Sequence, residues 1–391
     1  MEAVAKSVPT HKVNCVTGKE KINTFTRMDD IQNNGTTLVT NGNLCNGTDD
    51  TKQCNGGNNV VSNGVFVNGS SDSEQSNSTT DKVTNGAFLN GSPGTKQTMK
   101  LSEMPSFLQR SHIHIADTDR VKRIMHNIIQ DGSKKLQIIA DWDYTVTIGH
   151  IDGNKALSSW DVMEESKLLP HNNQERIKSI NEIHMKAEFD HSMTPEDKMN
   201  DTIKWYRDIY DEIVKSKLQK GTVAQIVKDS GLKLRKKSEI LFKKLQNLEI
   251  PTMVVSAGFG DFILEIIKLY NINMKYITVI SNFFIYDKQN TIVGFTDPIY
   301  PFNKKEATVS ETEYYKKFID RSNAILIGDT VGDAKMDGGI IKKGNILKIG
   351  FLNGPERNPE YLKMFKQYFD IVVEDDQTMD TMIAIIDALK S

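Results

Sequence analysis

Two textures of apolar spacing organise the chain beyond about residue 98. Short, nearly unbroken apolar runs predict buried strands, and stretches with apolar residues every three or four positions predict helices. The first such helix is predicted over 104–130, with Val121, Ile124, Ile128 and Ile129 on one face. Leu136-Gln137-Ile138-Ile139-Ala140 follows as a strand that breaks into polar Asp141. Amphipathic helices then dominate from about 160 to 237, at 173–187, 195–218 and 222–230. After them strands (252–255, 277–280, 324–327, 347–349, 371–373) alternate with helices (262–270, 312–319, 334–338, 378–389). A hairpin is predicted from 283–286 and 292–295. Such alternation implies an α/β fold with a mostly parallel sheet covered on both faces. The helical insertion after the first strand would lie over the strand C-termini, where open α/β sheets bind ligands.

Residues 1–97 have another texture. Asn, Gly, Ser and Thr dominate, and the aromatics are Phe25, Phe66 and Phe88. Too little apolar surface is present to offset the entropy of ordering, so this tail is expected to be disordered. Ser62-Asn63-Gly64-Val65-Phe66-Val67-Asn68-Gly69-Ser70 is echoed by Thr84-Asn85-Gly86-Ala87-Phe88-Leu89-Asn90-Gly91-Ser92, too short a repeat for a repeat fold. The expected organisation is therefore a tail at 1–97, a core from 98–156 and 238–391, and a helical domain at 157–237.

Composition narrows the function classes. The formal net charge is −2, which gives no basic field for nucleic acid or an anionic membrane. No apolar run could span a bilayer, and the N-terminus lacks the order of a secretory signal, so the cytosol is the expected compartment. Cys15, Cys45 and Cys54 all lie in the tail. Three cysteines without a CxxC pair argue against a disulfide framework and a structural zinc site.

Four segments at or beyond strand ends carry the candidate chemistry. In Asp141-Trp142-Asp143-Tyr144-Thr145, two carboxylates can share one hard cation or divide nucleophile and acid/base duties. An isolated pair of this kind is more often solvated surface. Val255-Ser256-Ala257-Gly258-Phe259-Gly260-Asp261 offers a hydroxyl and free N–H groups between strand and helix, either an anion site or a plain helix cap. Lys304 in Phe302-Asn303-Lys304-Lys305 could neutralise phosphate charge, or simply be solvated. Gly328-Asp329-Thr330-Val331-Gly332-Asp333 supplies two more carboxylates, Asp329 as a magnesium ligand and Asp333 as an outer partner orienting lysine or water.

In this order the four segments match the motif set of the haloacid dehalogenase-like superfamily. Residues from about 100 to 391 resemble the cytosolic 5′-nucleotidase III family, which acts on pyrimidine and 7-methylguanosine phosphates. Ser281-Asn282-Phe283 and Leu347-Lys348-Ile349-Gly350-Phe351-Leu352-Asn353 extend the match. The resemblance implies a Rossmann-like core with an α-helical cap after the first core strand, and a monomer acting on a small nucleotide. It implies Asp141 as nucleophile and Asp143 as acid and then base. Magnesium (Mg2+) would be held by Asp141, the Asp143 carbonyl and Asp329, with Thr145 and Asp333 in support. Ser256, Ala257 and Lys304 would bind phosphate. Glu188, within Ala187-Glu188-Phe189-Asp190, would read the nucleobase.

Three departures stand out. Trp142 replaces the family's usual Phe between the two aspartates. Ile209-Tyr210 stand where the family has a small Ser-His pair near the base, and 148–159 replaces a Gly/Cys-rich stretch. Trp142 keeps a bulky anchor and does not threaten catalysis, while the other two departures, in or next to the cap, bear on base selectivity rather than on phosphate chemistry. Two other readings remain open: a phosphatase of the same superfamily acting on another small phosphate ester, and a non-catalytic binding scaffold.

Overall fold

The computed structural model describes residues 105–188, 190, 192–354 and 358–389. The tail at 1–97, its internal echo and its cysteines lie outside the described residues. The chain first forms β1 (Ile113–Ile115), α1 (Thr118–Asp131), β2 (Leu136–Ala140) and the short β3 (His150–Ile151) and β4 (Asn154–Lys155). Four helices follow: α2 (Ser159–Glu165), α3 (His171–Glu188), α4 (Pro195–Lys215) and α5 (Lys220–Asp229). Next come α6 (Ser238–Asn247), β5 (Thr252–Phe259), α7 (Gly260–Leu269), β6 (Ile277–Asn282), β7 (Phe284–Tyr286) and β8 (Ile292–Phe295). The rest comprises α8 (Lys304–Ser310), α9 (Thr312–Lys317), β9 (Asn323–Gly328), β10 (Ile346–Leu352), α10 (Pro359–Tyr368), β11 (Ile371–Glu374) and α11 (Asp380–Asp387).

Seven strands form one sheet in the order β1-β11-β10-β9-β2-β5-β6. All neighbours run parallel except β1, which pairs antiparallel with β11 at the edge. The uninterrupted apolar runs are explained by burial on both faces. Ile138 and Ala140 of β2, Val254 of β5, and Ile325 and Ile327 of β9 point into one core. Ile139, Met253, Val255, Ala324 and Leu326 point into the other. The period of two distributes a single run between two hydrophobic layers. On the first face the packing comes from α1, α6, α7 and α11, through residues such as Met125, Phe242, Phe262 and Met382. On the second it comes from Tyr314 and Tyr315 of α9, Phe365 of α10 and Met336.

The helix expected over 104–130 is shorter. Asp117 caps α1 by accepting a hydrogen bond from the Arg120 N–H at 2.9 Å, so the helix starts at Thr118. Upstream, Ile113, His114 and Ile115 extend along β11 opposite Val373, Val372 and Ile371. The apolar face of 121–129 is helical as read, but the preceding residues satisfy their backbone in the sheet. Strand β5 is also longer than its apolar core, running through Ser256 and Ala257 to Phe259.

Strand β2 lies between β9 and β5, and its successors in the sheet depart on opposite sides. This is a topological switch point, where the loops beyond the strand C-termini splay and leave a crevice. Asp141 follows β2 and Asp329 follows β9, so both carboxylates emerge at that crevice.

Candidate active site

Asp141 leaves β2 with its N–H still donating to the Ile327 carbonyl at 3.0 Å, which fixes its backbone in line with the sheet. Its side chain is buried. Lys304 Nζ, at the first residue of α8, donates to Asp141 Oδ1 at 2.5 Å and to Asp333 Oδ1 at 2.7 Å. Thr145 Oγ1 lies 3.1 Å from Asp141 Oδ2 and 3.4 Å from Asp329 Oδ1, within donating reach of both. Asp333 Oδ2 accepts from the N–H groups of Asp329 and Thr330 and from Thr330 Oγ1 at 3.2, 2.9 and 2.8 Å. Gly328 makes this turn possible, since a Cβ there would lie 2.3 Å from the Asp333 Cβ.

The charges are unevenly balanced. Burial, tempered by Lys304 and reinforced by Asp333, raises the Asp141 carboxyl above its ordinary range. Burial and the charges of Asp141 and Asp333 push Asp329 well above it. Burial opposes the Lys304 ammonium, but Asp141 and Asp333 outweigh it and hold the amine above the usual lysine range. One buried cation thus faces three carboxylates. Oxygens of Asp141, Asp329 and Asp333 all lie within 4.8 Å of one another.

That donor set fits a hard divalent cation. Carboxylate oxygens are the preferred ligands of magnesium, and a second positive charge would relieve the repulsion that raises Asp141 and Asp329. Asp333 is already engaged at both oxygens, by Lys304 and by the turn after β9. Asp141 and Asp329 would be the better-placed ligands, while Asp333 holds lysine and loop.

Asp143 is set apart from this cluster. Its Oδ2 accepts from Ser159 Oγ at 2.9 Å and its Oδ1 from Ser159 N–H at 3.2 Å. Burial and the neighbouring Asp141 charge raise its carboxyl to about 7, against the opposing hydrogen bonds from Ser159. Two aspartates two residues apart therefore occupy different environments, one beside an ammonium and one beside a hydroxyl.

The phosphate-binding candidates line the end of β5. Ser256 Oγ accepts from the Gly258 N–H at 3.0 Å. The Ala257 carbonyl accepts from Tyr206 OH at 2.9 Å and Asn282 Nδ2 at 2.8 Å, which fixes its orientation from α4 and β6. Trp142 is fully buried and anchors the loop after β2 in the core. Glu188 is the last residue of α3; its side chain lies outside the described residues.

Sequence reasoning passed over several groups. Arg235 is fully buried and binds the loop after β2, donating from Nε to the Thr145 carbonyl at 2.8 Å and from a terminal nitrogen to the Tyr144 carbonyl at 2.6 Å. Ser159 had no motif to mark it. An aromatic wall was likewise unforeseen: Trp160 packs against Trp205, Tyr206 and Phe259 with ring centroids 4.7, 4.7 and 4.4 Å apart. Tyr210 stacks on Phe295 at 3.6 Å, and Ile209 is buried in the core, so both departures from the family pattern are packing residues here. Trp205, Tyr206 and Tyr210 were readable only as part of a helix.

A parallel sheet that brings an aspartate pair, a lysine and a second acidic turn together at its switch point defines a haloacid dehalogenase-like phosphohydrolase. The chain belongs to the pyrimidine 5′-nucleotidase (UMPH-1) family, which matches residues 144–390, and it is a 5′-nucleotidase. It is 31% identical over 280 residues to the 7-methylguanosine phosphate-specific 5′-nucleotidase of Gallus gallus, covering 71% of this chain and 96% of that protein. The enzyme of the same description from Drosophila melanogaster is 31% identical over 296 residues, or 74% of this chain and 91% of the relative. Among solved structures, cytosolic 5′-nucleotidase IIIB bound to cytidine superposes with a TM-score of 0.65 at 29% identity, covering 72% of this chain and 94% of that one.

Proposed function

We propose that this 5′-nucleotidase hydrolyses nucleoside 5′-monophosphates, CMP or 7-methyl-GMP among them, with magnesium and through a phosphoryl group carried on Asp141. The observation that carries the reading is Asp141 bound to Lys304 at 2.5 Å, with a differently held Asp143 carboxyl two residues on. An Asp141 oxygen would form a bond to phosphorus as the bond to the nucleoside 5′-oxygen breaks. Asp143 would give the departing oxygen its proton. In the second step Asp143 would take a proton from water, whose oxygen attacks phosphorus and frees Asp141 and inorganic phosphate. Lys304 would hold a phosphate oxygen, as would Ser256 and the backbone at Ala257. When bound, magnesium would be held by Asp141, Asp329 and the Asp143 carbonyl, and it would neutralise phosphate charge.

The four helices α2 to α5 are proposed as a cap over the crevice, with Glu188 of α3 reading the base. Support for Glu188 comes from Ala187-Glu188-Phe189-Asp190 and from the names of the relatives. A carboxylate suits a cytosine amino group or the cationic 7-methylguanine ring. Cytosolic action is proposed from the named relatives; among the described residues no helix is long and apolar enough to cross a membrane.

The test is a panel of nucleoside monophosphates, phosphoserine and a sugar phosphate, assayed with magnesium and with EDTA. CMP or 7-methyl-GMP should be hydrolysed fastest, EDTA should reduce turnover to background, and excess magnesium should restore it. Undiminished turnover in EDTA would sink the metal requirement, and preference for phosphoserine would sink the substrate class. Glu188→Ala should raise KM for nucleotides about tenfold or more, the loss of one charge-assisted hydrogen bond. Hydrolysis of a small aryl phosphate should stay nearly unchanged. Equal damage to both substrates would count against base recognition.

A further inference from the structure

We infer that Ser159 is a positioning residue for Asp143, so that the proposed acid is held by the inserted helices rather than by its own loop. The inference rests on the acid role proposed for Asp143. Among the described residues, both hydrogen bonds to the Asp143 carboxylate come from Ser159, one from the hydroxyl and one from the N–H. Ser159 is the first residue of α2, and Ser158 caps that helix through a reciprocal bond with Asp161.

The hydroxyl proton has a defined direction. Ser159 Oγ lies 3.3 Å from the Phe259 N–H and accepts from it, which leaves its own proton for Asp143 Oδ2. A relay therefore runs from the end of β5 through α2 to the loop after β2. Ser159 is 1% exposed, so water cannot substitute freely for it. The three segments meet tightly: a Cβ on Gly258 would lie 2.1 Å from Ser159 Oγ and 2.8 Å from Asp143 Oδ2. Pinned at both oxygens, the carboxyl cannot swing, yet each oxygen keeps a second lone pair through which a proton can pass.

The neighbouring residue ties this contact to the wall of the crevice. Trp160 packs on Trp205 and Tyr206 of α4 and on Phe259 of β5. Movement of α2 would thus shift the acid and the aromatic wall together.

A positioning role predicts dependence on the leaving group. A nucleoside departs as a strongly basic alkoxide and needs the proton, whereas p-nitrophenolate is a stable anion and does not. In single-turnover assays of the full-length protein with magnesium, Ser159→Ala should slow nucleoside release from CMP or 7-methyl-GMP by about 30- to 100-fold. Release of p-nitrophenol from p-nitrophenyl phosphate should fall by no more than about threefold, since that step does not draw on general acid catalysis. Ser159→Cys keeps the size and a weak donor, and should give a smaller split in the same direction. Equal losses on the two substrates, or no loss on either, in whichever variant folds, would overturn the inference. Asp143→Asn separates the layers of the argument. A split there without one at Ser159 rejects only the positioning role, while no split at Asp143 rejects the acid role beneath it.

Discussion

Asp141→Asn is expected to lower turnover of CMP and 7-methyl-GMP by at least about 10⁴-fold while leaving a folded protein, since removal of the proposed nucleophile would remove the covalent route itself. An amide nitrogen or its weakly nucleophilic oxygen cannot take the phosphoryl group. The fold should bear the change well. Burial raises the Asp141 carboxyl above its ordinary range, so the site disfavours the charge that the substitution deletes. Lys304 keeps Asp333 at 2.7 Å as a charged partner, so its ammonium is not stranded. Melting curves and hydrolysis assays on the same preparation make the check. Normal hydrolysis by the folded variant would eliminate Asp141 as nucleophile, whereas a protein that no longer folds would show that the carboxylate is structural.

The same loop puts Asp141 and Asp143 in different surroundings. Lys304 stabilises the charged form of the first, and among the described residues no ammonium contacts the second, whose carboxyl sits near 7 by burial and by repulsion from Asp141. Burial raises both carboxyls, and the ammonium bound to the first opposes that rise, an asymmetry that suits the nucleophile and acid roles proposed for them. That difference in partners depends on residues from elements far apart in sequence, α8 for the lysine and α2 for the serine.

The visibility of each feature in the sequence follows from that arrangement. Strands β2, β5, β9 and β11 were readable because burial on both faces demands continuous apolar runs. The polar residues that end those runs marked the crevice. Strand β1 was not readable, because its three residues become a strand only by pairing with β11, some 260 positions away. No helix was expected at Lys304, yet it opens α8, whose second lysine and Glu306 gave no clear apolar stripe. Ser159 and Arg235 carried no local signal at all. A serine at a helix start looks like a cap, and Lys233-Leu234-Arg235-Lys236-Lys237 looks like a solvated charge run. Only tertiary structure shows that the arginine of that run points inward.

That arginine carries the largest expected effect on stability. Its guanidinium donates to the carbonyls of Tyr144, Thr145 and Asp376 and to Asn353 Oδ1, and it lies over the Phe351 ring at 4.1 Å. Burial lowers its pKa to about 10, against the charges of Asp329, Asp376 and Asp375, so it remains a cation at neutral pH. The backbone beside it pairs with the same loop: the Arg235 N–H donates to the Val146 carbonyl and the Ile148 N–H to the Lys233 carbonyl. Arg235→Met fills similar volume but leaves buried carbonyls without donors, at about 1–3 kcal/mol each. Partial relaxation should leave a net loss of about 3–5 kcal/mol, in the range of a broken buried network. Arg235→Lys keeps the charge but not the planar fork that spans several carbonyls, and should fall between the two. Urea unfolding of the three proteins would order them wild type, Lys, Met. A Met variant within about 1 kcal/mol of wild type would mean that water or a local shift satisfies these carbonyls, and that the loop carrying Asp141 and Asp143 is held by its own turn and by Asn353.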